Sequence, residues 1–97
     1  MFYILLCLQA EFCGTDIMAQ VSQMTQGRVA IGPGTLYYLL ESFLRSGMIE
    51  ESKVEGRKRS YLITDAGRKA LEDEYRRLLT LAEDYRRLTP EVGADHA

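Results

Sequence analysis

Gly32-Pro-Gly-Thr-Leu-Tyr-Tyr-Leu-Leu-Glu-Ser-Phe-Leu-Arg-Ser-Gly-Met-Ile49 is the stretch whose reading decides the fold. Pro33 suits the first position of a helix, where its missing N–H would be unpaired anyway and its fixed φ is already helical, so Gly32 becomes the N-cap. Gly47 follows the last periodic residue and is the natural left-handed stop. Between them Leu36, Leu39, Leu40, Phe43 and Leu44 recur at helical spacing, which makes one core-facing stripe. The opposite face carries Gly34, Thr35, Tyr38, Ser42 and Arg45. With two glycines at its start and no bulky charge in its first turn, that face can approach a phosphate backbone closely, and a helix N-terminus favours anions.

Beyond this helix, residues 49–53 and 59–64 read as two short strands around a tip of Val54, Glu55, Gly56, Arg57 and Lys58. A helix followed by a basic hairpin is the winged helix arrangement. The same pattern also fits one amphipathic helix and one solvated hairpin in any small α+β domain. Lys53, Arg57, Lys58 and Arg59 favour the former, because they concentrate on one hairpin with only Glu55 among them, whereas a merely solvated hairpin should intersperse its signs.

The 97 residues make one modest core, near the size where association often adds stability. Twelve basic against fourteen acidic residues leave a formal charge of −2, which argues against coating nucleic acid by bulk charge but not against a local basic patch. Cys7 lies in an apolar run and reads as a small core residue, and both it and Cys13 are expected to be reduced. The only histidine, His96, lies in the tail, so neither a metal nor another cofactor is expected. The apolar run from Met1 has no basic leader and is interrupted by Gln9 and Glu11, so it is expected to belong to the fold rather than to a secretion signal. No apolar stretch approaches the roughly 20 residues of a membrane span. Cytoplasm, with no membrane partner, is the default location.

In order along the chain, residues 2–9 form a first helix, apolar almost all round and suited to burial or a subunit contact. Residues 12–14 connect it to a second helix with Thr15 as its cap, Asp16 in its first turn and an inner stripe of Ile17, Met18, Val21 and Met24. Gly27 ends that helix. In residues 28–31, Val29 and Ile31 alternate with Arg28 and Ala30, which predicts a short strand edging the hairpin. After the hairpin, Thr64 caps a long helix running from residue 65 to about 88, ended by Thr89 and Pro90. Glu72 with Arg76, Asp73 with Arg77 and Glu83 with Arg87 are expected i,i+4 pairs on its outer face. Residues 90–97, small and polar, are expected to be disordered.

Phe2-Tyr3-Ile4-Leu5-Leu6, Gly27-Arg28-Val29, Pro33-Gly34-Thr35-Leu36-Tyr37, Gly47-Met48-Ile49, Gly56-Arg57-Lys58-Arg59 and Tyr61-Leu62-Ile63-Thr64 occur in an order that resembles PadR-family transcriptional regulators. Any one fragment is weak, whereas the ordered set, over roughly residues 2–88, is specific. The resemblance implies a homodimeric winged helix-turn-helix protein, usually a repressor, whose first and last helices build the dimer. The short C-terminal part is similar to the compact subgroup with a single such helix. Three departures bear on which DNA sequence is read rather than on the fold. Gly14-Thr15 stands where many members have Gly-Tyr, Tyr38 stands where proline often follows Leu-Tyr, and Ser42-Phe43-Leu44 replaces a frequent Arg-Leu-Glu.

The expected fold is thus α+β and mostly helical, with a winged helix-turn-helix domain over residues 1–64, a dimerisation helix over 65–89 and a tail over 90–97. No nucleophile with a base, carboxylate pair in a pocket or metal site is visible, so an enzyme is not expected. Glu50 and Glu51 are neighbours on a strand and point to opposite faces, which is poor geometry for joint acid–base work. The expected partners are double-stranded DNA and a second copy of the chain, in a repressor acting on an inverted-repeat operator. The alternative is a winged helix that binds proteins without DNA. An effector small molecule is compatible with the first reading, and its identity is not written in these residues.

The residues expected at DNA are Gly34, Thr35, Tyr37, Tyr38, Ser42, Lys53, Arg57, Lys58 and Arg59. Tyr37 flanks the leucines and is expected to be mainly packed, with its hydroxyl toward phosphate, whereas Tyr38 faces away and is the better base or phosphate contact. The residues expected at the dimer interface are Phe2 and Leu5 from the first helix, with Leu71, Tyr75, Leu78, Ala82, Tyr85 and Leu88 from the last. The four-three spacing of that second set suits helix-on-helix packing and runs further than a small winged domain can cover.

Overall fold

A computed structural model describes residues 2–89. Its elements are α1 (Phe2–Cys7), β1 (Phe12–Cys13), α2 (Gly14–Met24), α3 (Pro33–Arg45), β2 (Ile49–Glu55), β3 (Lys58–Ile63) and α4 (Asp65–Leu88). The strands form one antiparallel sheet in the order β1-β3-β2. This is a mostly helical α+β winged helix, with the hairpin β2–β3 as the wing and a long C-terminal helix. The expected tail, 90–97, lies outside the described residues.

The core sits where α1, α2 and α3 meet the inner face of the sheet, with Ile4, Leu8, Ile17, Leu36, Leu40 and Ile63 fully buried. Ile63 donates its backbone N–H to the Leu8 carbonyl at 2.8 Å, which fastens β3 to the end of α1. α3 follows the punctuation of its sequence, with Gly32 as an extended N-cap and Pro33 in the first turn. At its other end Gly47 has φ of 77°. The Gly47 and Met48 N–H groups then close back on the Leu44 and Phe43 carbonyls at 3.1 and 2.9 Å, satisfying two that a helix end leaves free.

Two expectations about α2 and its surroundings are corrected. The third strand is Phe12–Cys13, paired as Phe12 with Tyr61 and Cys13 with Ser60, and not residues 28–31. Two residues are too few to show alternation. The alternation of Val29 and Ile31 is real, but it anchors an extended α2–α3 connection on the core without a strand partner. The N-cap of α2 is Cys13 rather than Thr15, because β1 runs directly into the helix. Thr25 organises the far end, where its buried hydroxyl donates to the Val21 carbonyl at 2.8 Å and accepts the Val29 N–H at 3.1 Å.

α4 begins where its sequence says, with the Thr64 hydroxyl accepting the Gly67 N–H at 3.1 Å. It then leaves the rest of the chain behind. The radius of gyration is 16.4 Å, against about 13 Å for a compact domain of this length. On its polar side the ion pairs are Arg76 with Glu72, Arg77 with Glu74 and Arg87 with Asp84. Two of these replace the expected i,i+4 partners by i,i+3 ones, both spacings being within side-chain reach on a helix.

Candidate nucleic-acid interface

The first turn of α3 is open. A Cβ added at Gly32 or Gly34 would meet nothing within 4 Å, so the backbone there can be approached by another molecule. Thr35 stands exposed in that turn and Tyr38, 72% exposed, follows it, while Ser42 on the same side is half-buried. Tyr37 turns toward α2. Its phenol lies beside the start of α2, where a Cβ at Gly14 would be in ordinary contact, 3.5 Å, with the Tyr37 and Tyr61 rings, while Tyr37 itself stays 48% exposed.

Between that start and the wing lies a cleft of about 230 Å³, lined on one side by Gly14, Thr15 and Tyr37 and on the other by Arg57, Lys58 and Arg59. The wing turns over two residues, Gly56 and Arg57, with Gly56 at φ of 60° in the first central position and Glu55 paired with Lys58 across the neck. That is the hairpin geometry whose twist matches its strands. One extra residue, Ser52, interrupts the ladder between the Glu51–Tyr61 and Lys53–Ser60 pairs and re-aims the outer half of the wing.

The four wing cations are not equivalent. Lys53 pairs with Glu55 at 2.8 Å and Arg59 with Glu51 at 2.7 Å. Each carboxylate raises its partner's pKa, chiefly through the hydrogen bond, and Glu55 is lowered in return. Among the described residues Arg57 and Lys58 form no ion pair, so at the tip they are the charges free for an outside anion. The wing is therefore more mixed in sign than its sequence suggests, because Glu51 reaches Arg59 only through the strand register. Apart from Glu51, whose side chain is about one-third exposed, these side chains are largely exposed, and exposed pairs exchange cheaply for a phosphate.

Sequence reasoning singled out Tyr37, Arg57, Lys58 and Arg59 but not Cys13, Gly14 and Thr15, which complete the same cleft. The signal was available in Gly14-Thr15 at a helix start, yet only the sheet pairing of β1 brings it to the wing. Cys13 sits at the rim with its Sγ 3.3 Å from the Thr15 hydroxyl, and hydrogen bonding from Thr15 lowers its thiol pKa. Cys7 is the opposite case, pushed up to about 11 by burial.

On the second expected surface, Leu5 and Leu71 are corrected. They are 6% and 8% exposed and packed mostly into the chain's own core, although Leu71 also lines the groove between α1 and α4. Phe2 is half-buried at the edge of a groove of about 330 Å³ between α1 and α4, with Leu6, Leu71 and Tyr75. From Tyr75 onward α4 is bare. Tyr75, Leu78, Leu79, Leu81, Ala82, Tyr85 and Leu88 are all exposed, and Leu79 and Leu81 are absent from the expected set; Leu79 widens the stripe to about half the helix circumference. Among the described residues no helix is long and apolar enough to cross a membrane.

A helix with an open first turn beside a basic wing defines a winged helix protein of the regulator type. The family model described as the transcriptional regulator PadR-like family matches residues 4–73, and the chain belongs to that family. Among solved structures, H. salinarum RosR is similar at 24% identity and a TM-score of 0.68, covering 98% of this chain and 88% of that one. Bacillus subtilis PadR, solved in complex with operator DNA, is similar at 19% identity and a TM-score of 0.63, over 98% of this chain and 64% of that one. TA0346 from Thermoplasma acidophilum gives 26% identity and a TM-score of 0.64, over 93% and 88%. No curated protein sequence matches significantly.

Proposed function

We propose that this PadR-like regulator binds duplex DNA sequence-specifically as a homodimer and represses by occupying an inverted-repeat operator. The observation that carries the reading is the cleft, which sets the unpaired Arg57 and Lys58 across from Tyr37 of α3 and the N-terminus of α2. A phosphate seated there would be held by two cations and by helix N–H groups while the open face of α3 lies along the major groove. In this reading Thr35 and Tyr38 meet base edges or phosphate, Gly34 permits the approach, and Ser42 lines the flank. Lys53 and Arg59 can exchange their carboxylates for DNA.

The exposed stripe of α4, continuous with the Phe2 groove, supports the dimer, because an apolar face of that length is rarely left to water. A two-fold pair carries its two recognition helices about 34 Å apart and matches half-sites one helical turn apart. Repression fits a protein that acts by covering its site, and the operator-DNA complex of the B. subtilis relative supports the DNA-binding part of the reading.

The test is a salt titration of binding to duplex DNA. Log affinity should fall steeply with log salt as several phosphates are neutralised. A flat response would leave the protein-interaction module as the better reading.

A further inference from the structure

We infer that the junction between Thr64 and the exit of α3 is the joint that fixes the spacing between the two DNA-reading helices, with Thr64 as its positioning residue. The inference rests on the proposed reading, in which α3 meets DNA and α4 makes the dimer.

The closing turn of α3 uses the Leu44 and Phe43 carbonyls internally and leaves those of Gly47 and Met48 for other donors. Thr64 takes both. Its hydroxyl donates to the Gly47 carbonyl at 2.6 Å, and its backbone N–H donates to the Met48 carbonyl at 3.0 Å. The same hydroxyl oxygen accepts the Gly67 N–H and so caps α4. One side-chain oxygen therefore ties the end of α3 to the start of α4. Behind it, Gly67 is buried against Met48, where a Cβ would collide with the Met48 carbonyl oxygen and lie 2.7 Å from Ile63 Cγ1. Glycine is what allows the two helix ends to come this close. Away from this joint α4 packs mainly on α1 and β3.

The leverage is large. From Gly67 to Leu88 α4 extends about 30 Å, and a tilt of about 6° at its base moves the far end by about 3 Å, close to the 3.4 Å rise of one base pair. If the far end is clamped to a partner, the displacement appears at α3 instead. A joint that holds this angle therefore selects half-site spacing.

The test uses the full chain and operator duplexes selected by the wild-type protein from a random library, remade with half-sites moved apart or together by one and two base pairs. Wild type should show a sharp spacing optimum. Thr64→Val should flatten it, losing about tenfold at the best spacing while non-specific affinity, salt slope and dimerisation stay as in wild type, and Thr64→Ser should restore it. Gly67→Ala should move the optimum by about one base pair. A Thr64→Val protein that melts lower but keeps the wild-type spacing profile would reduce the hydroxyl to a helix cap and overturn the inference. Should Gly67→Ala fail to fold, the valine and serine pair decides alone. Wild-type protein that binds duplexes with normal salt dependence but without any spacing optimum sinks the joint and leaves DNA binding standing. Wild-type protein that binds none sinks both.

Discussion

The winged unit and the outer two-thirds of α4 use apolar residues in opposite ways. In the first, Leu36 is fully buried among side chains of the same chain, whereas in the second Leu78 remains 41% exposed. The polar side of α4 is well served by its own ion pairs. Among the described residues its apolar side has no counterpart. In the proposed dimer, stability and association are written in separate segments, one packed on itself and one left for the second copy. Changes in the first should move unfolding, and changes in the second should move assembly.

The strongest way to break that division is a pair of truncations. Leu36→Ala should cost about 2–5 kcal/mol of unfolding free energy, since a fully buried leucine leaves a cavity as well as lost transfer energy. Leu81→Ala on the bare face should change the unfolding of the isolated chain by no more than about 0.5 kcal/mol. Denaturant titration at a concentration where the protein is monomeric measures both. Equal costs would mean that α4 folds back on the winged unit in solution.

Next in size is Leu78→Asp. A carboxylate in the middle of the stripe should raise the dimer dissociation constant at least about 30-fold and abolish cooperative operator binding, with the monomer's melting nearly untouched. Sedimentation across micromolar concentrations gives the answer. A variant that remains dimeric would place the interface elsewhere, with the groove beside Phe2 as the next surface to probe.

How far this division shows in the sequence depends on the range of the interactions. The bounds of α3 and α4 are legible because Gly32-Pro33, Gly47 and Thr64 act within a turn of where they stand. The apolar excess of α4 is legible because its spacing outruns the domain. What stays hidden depends on residues distant in sequence. β1 has two residues and exists only against Tyr61 and Ser60, and Arg59 loses its freedom to Glu51 only once the strands are in register. Leu5 and Leu71 have the spacing of interface residues and are buried by their own chain instead. The same holds for the cleft beside the wing, where Gly14 and Thr15 come from the start of α2.

Within the winged unit the comparison sharpens to single charges. Arg57→Ala should reduce the slope of log affinity against log salt by roughly one and weaken all duplexes about equally, because a phosphate contact carries no sequence information. Tyr38→Ala should instead alter preference among selected sites. Arg59→Ala should do less than Arg57→Ala, since Glu51 already occupies that guanidinium. If Arg57→Ala changed sequence preference and left the salt slope alone, the wing tip would be reading bases.

The smallest expected effect lies at the end of α2, and its sign is the informative part. α2 and α3 close in the same way. The Gln26 N–H meets the Gln23 carbonyl at 3.2 Å and the Gly27 N–H meets that of Ser22 at 2.7 Å, just as Gly47 and Met48 close α3. Yet the left-handed position that α3 fills with Gly47 is filled in α2 by Gln26, at φ of 55°, with Gly27 one place later. A side chain there crowds its own carbonyl, at roughly 1–2 kcal/mol. Glycine would remove that strain but enter folding from a freer unfolded chain, which returns roughly 0.5–1 kcal/mol. Gln26→Gly should therefore stabilise the protein by about 0.5 kcal/mol and raise the melting temperature by about 2–4 °C. Because Gln26 lies in the self-sufficient unit, the dimer dissociation constant should not move. A lower melting temperature would show that the glutamine stabilises the α2–α3 connection by more than its strain, and a shifted dissociation constant would show that unfolding and assembly are coupled after all.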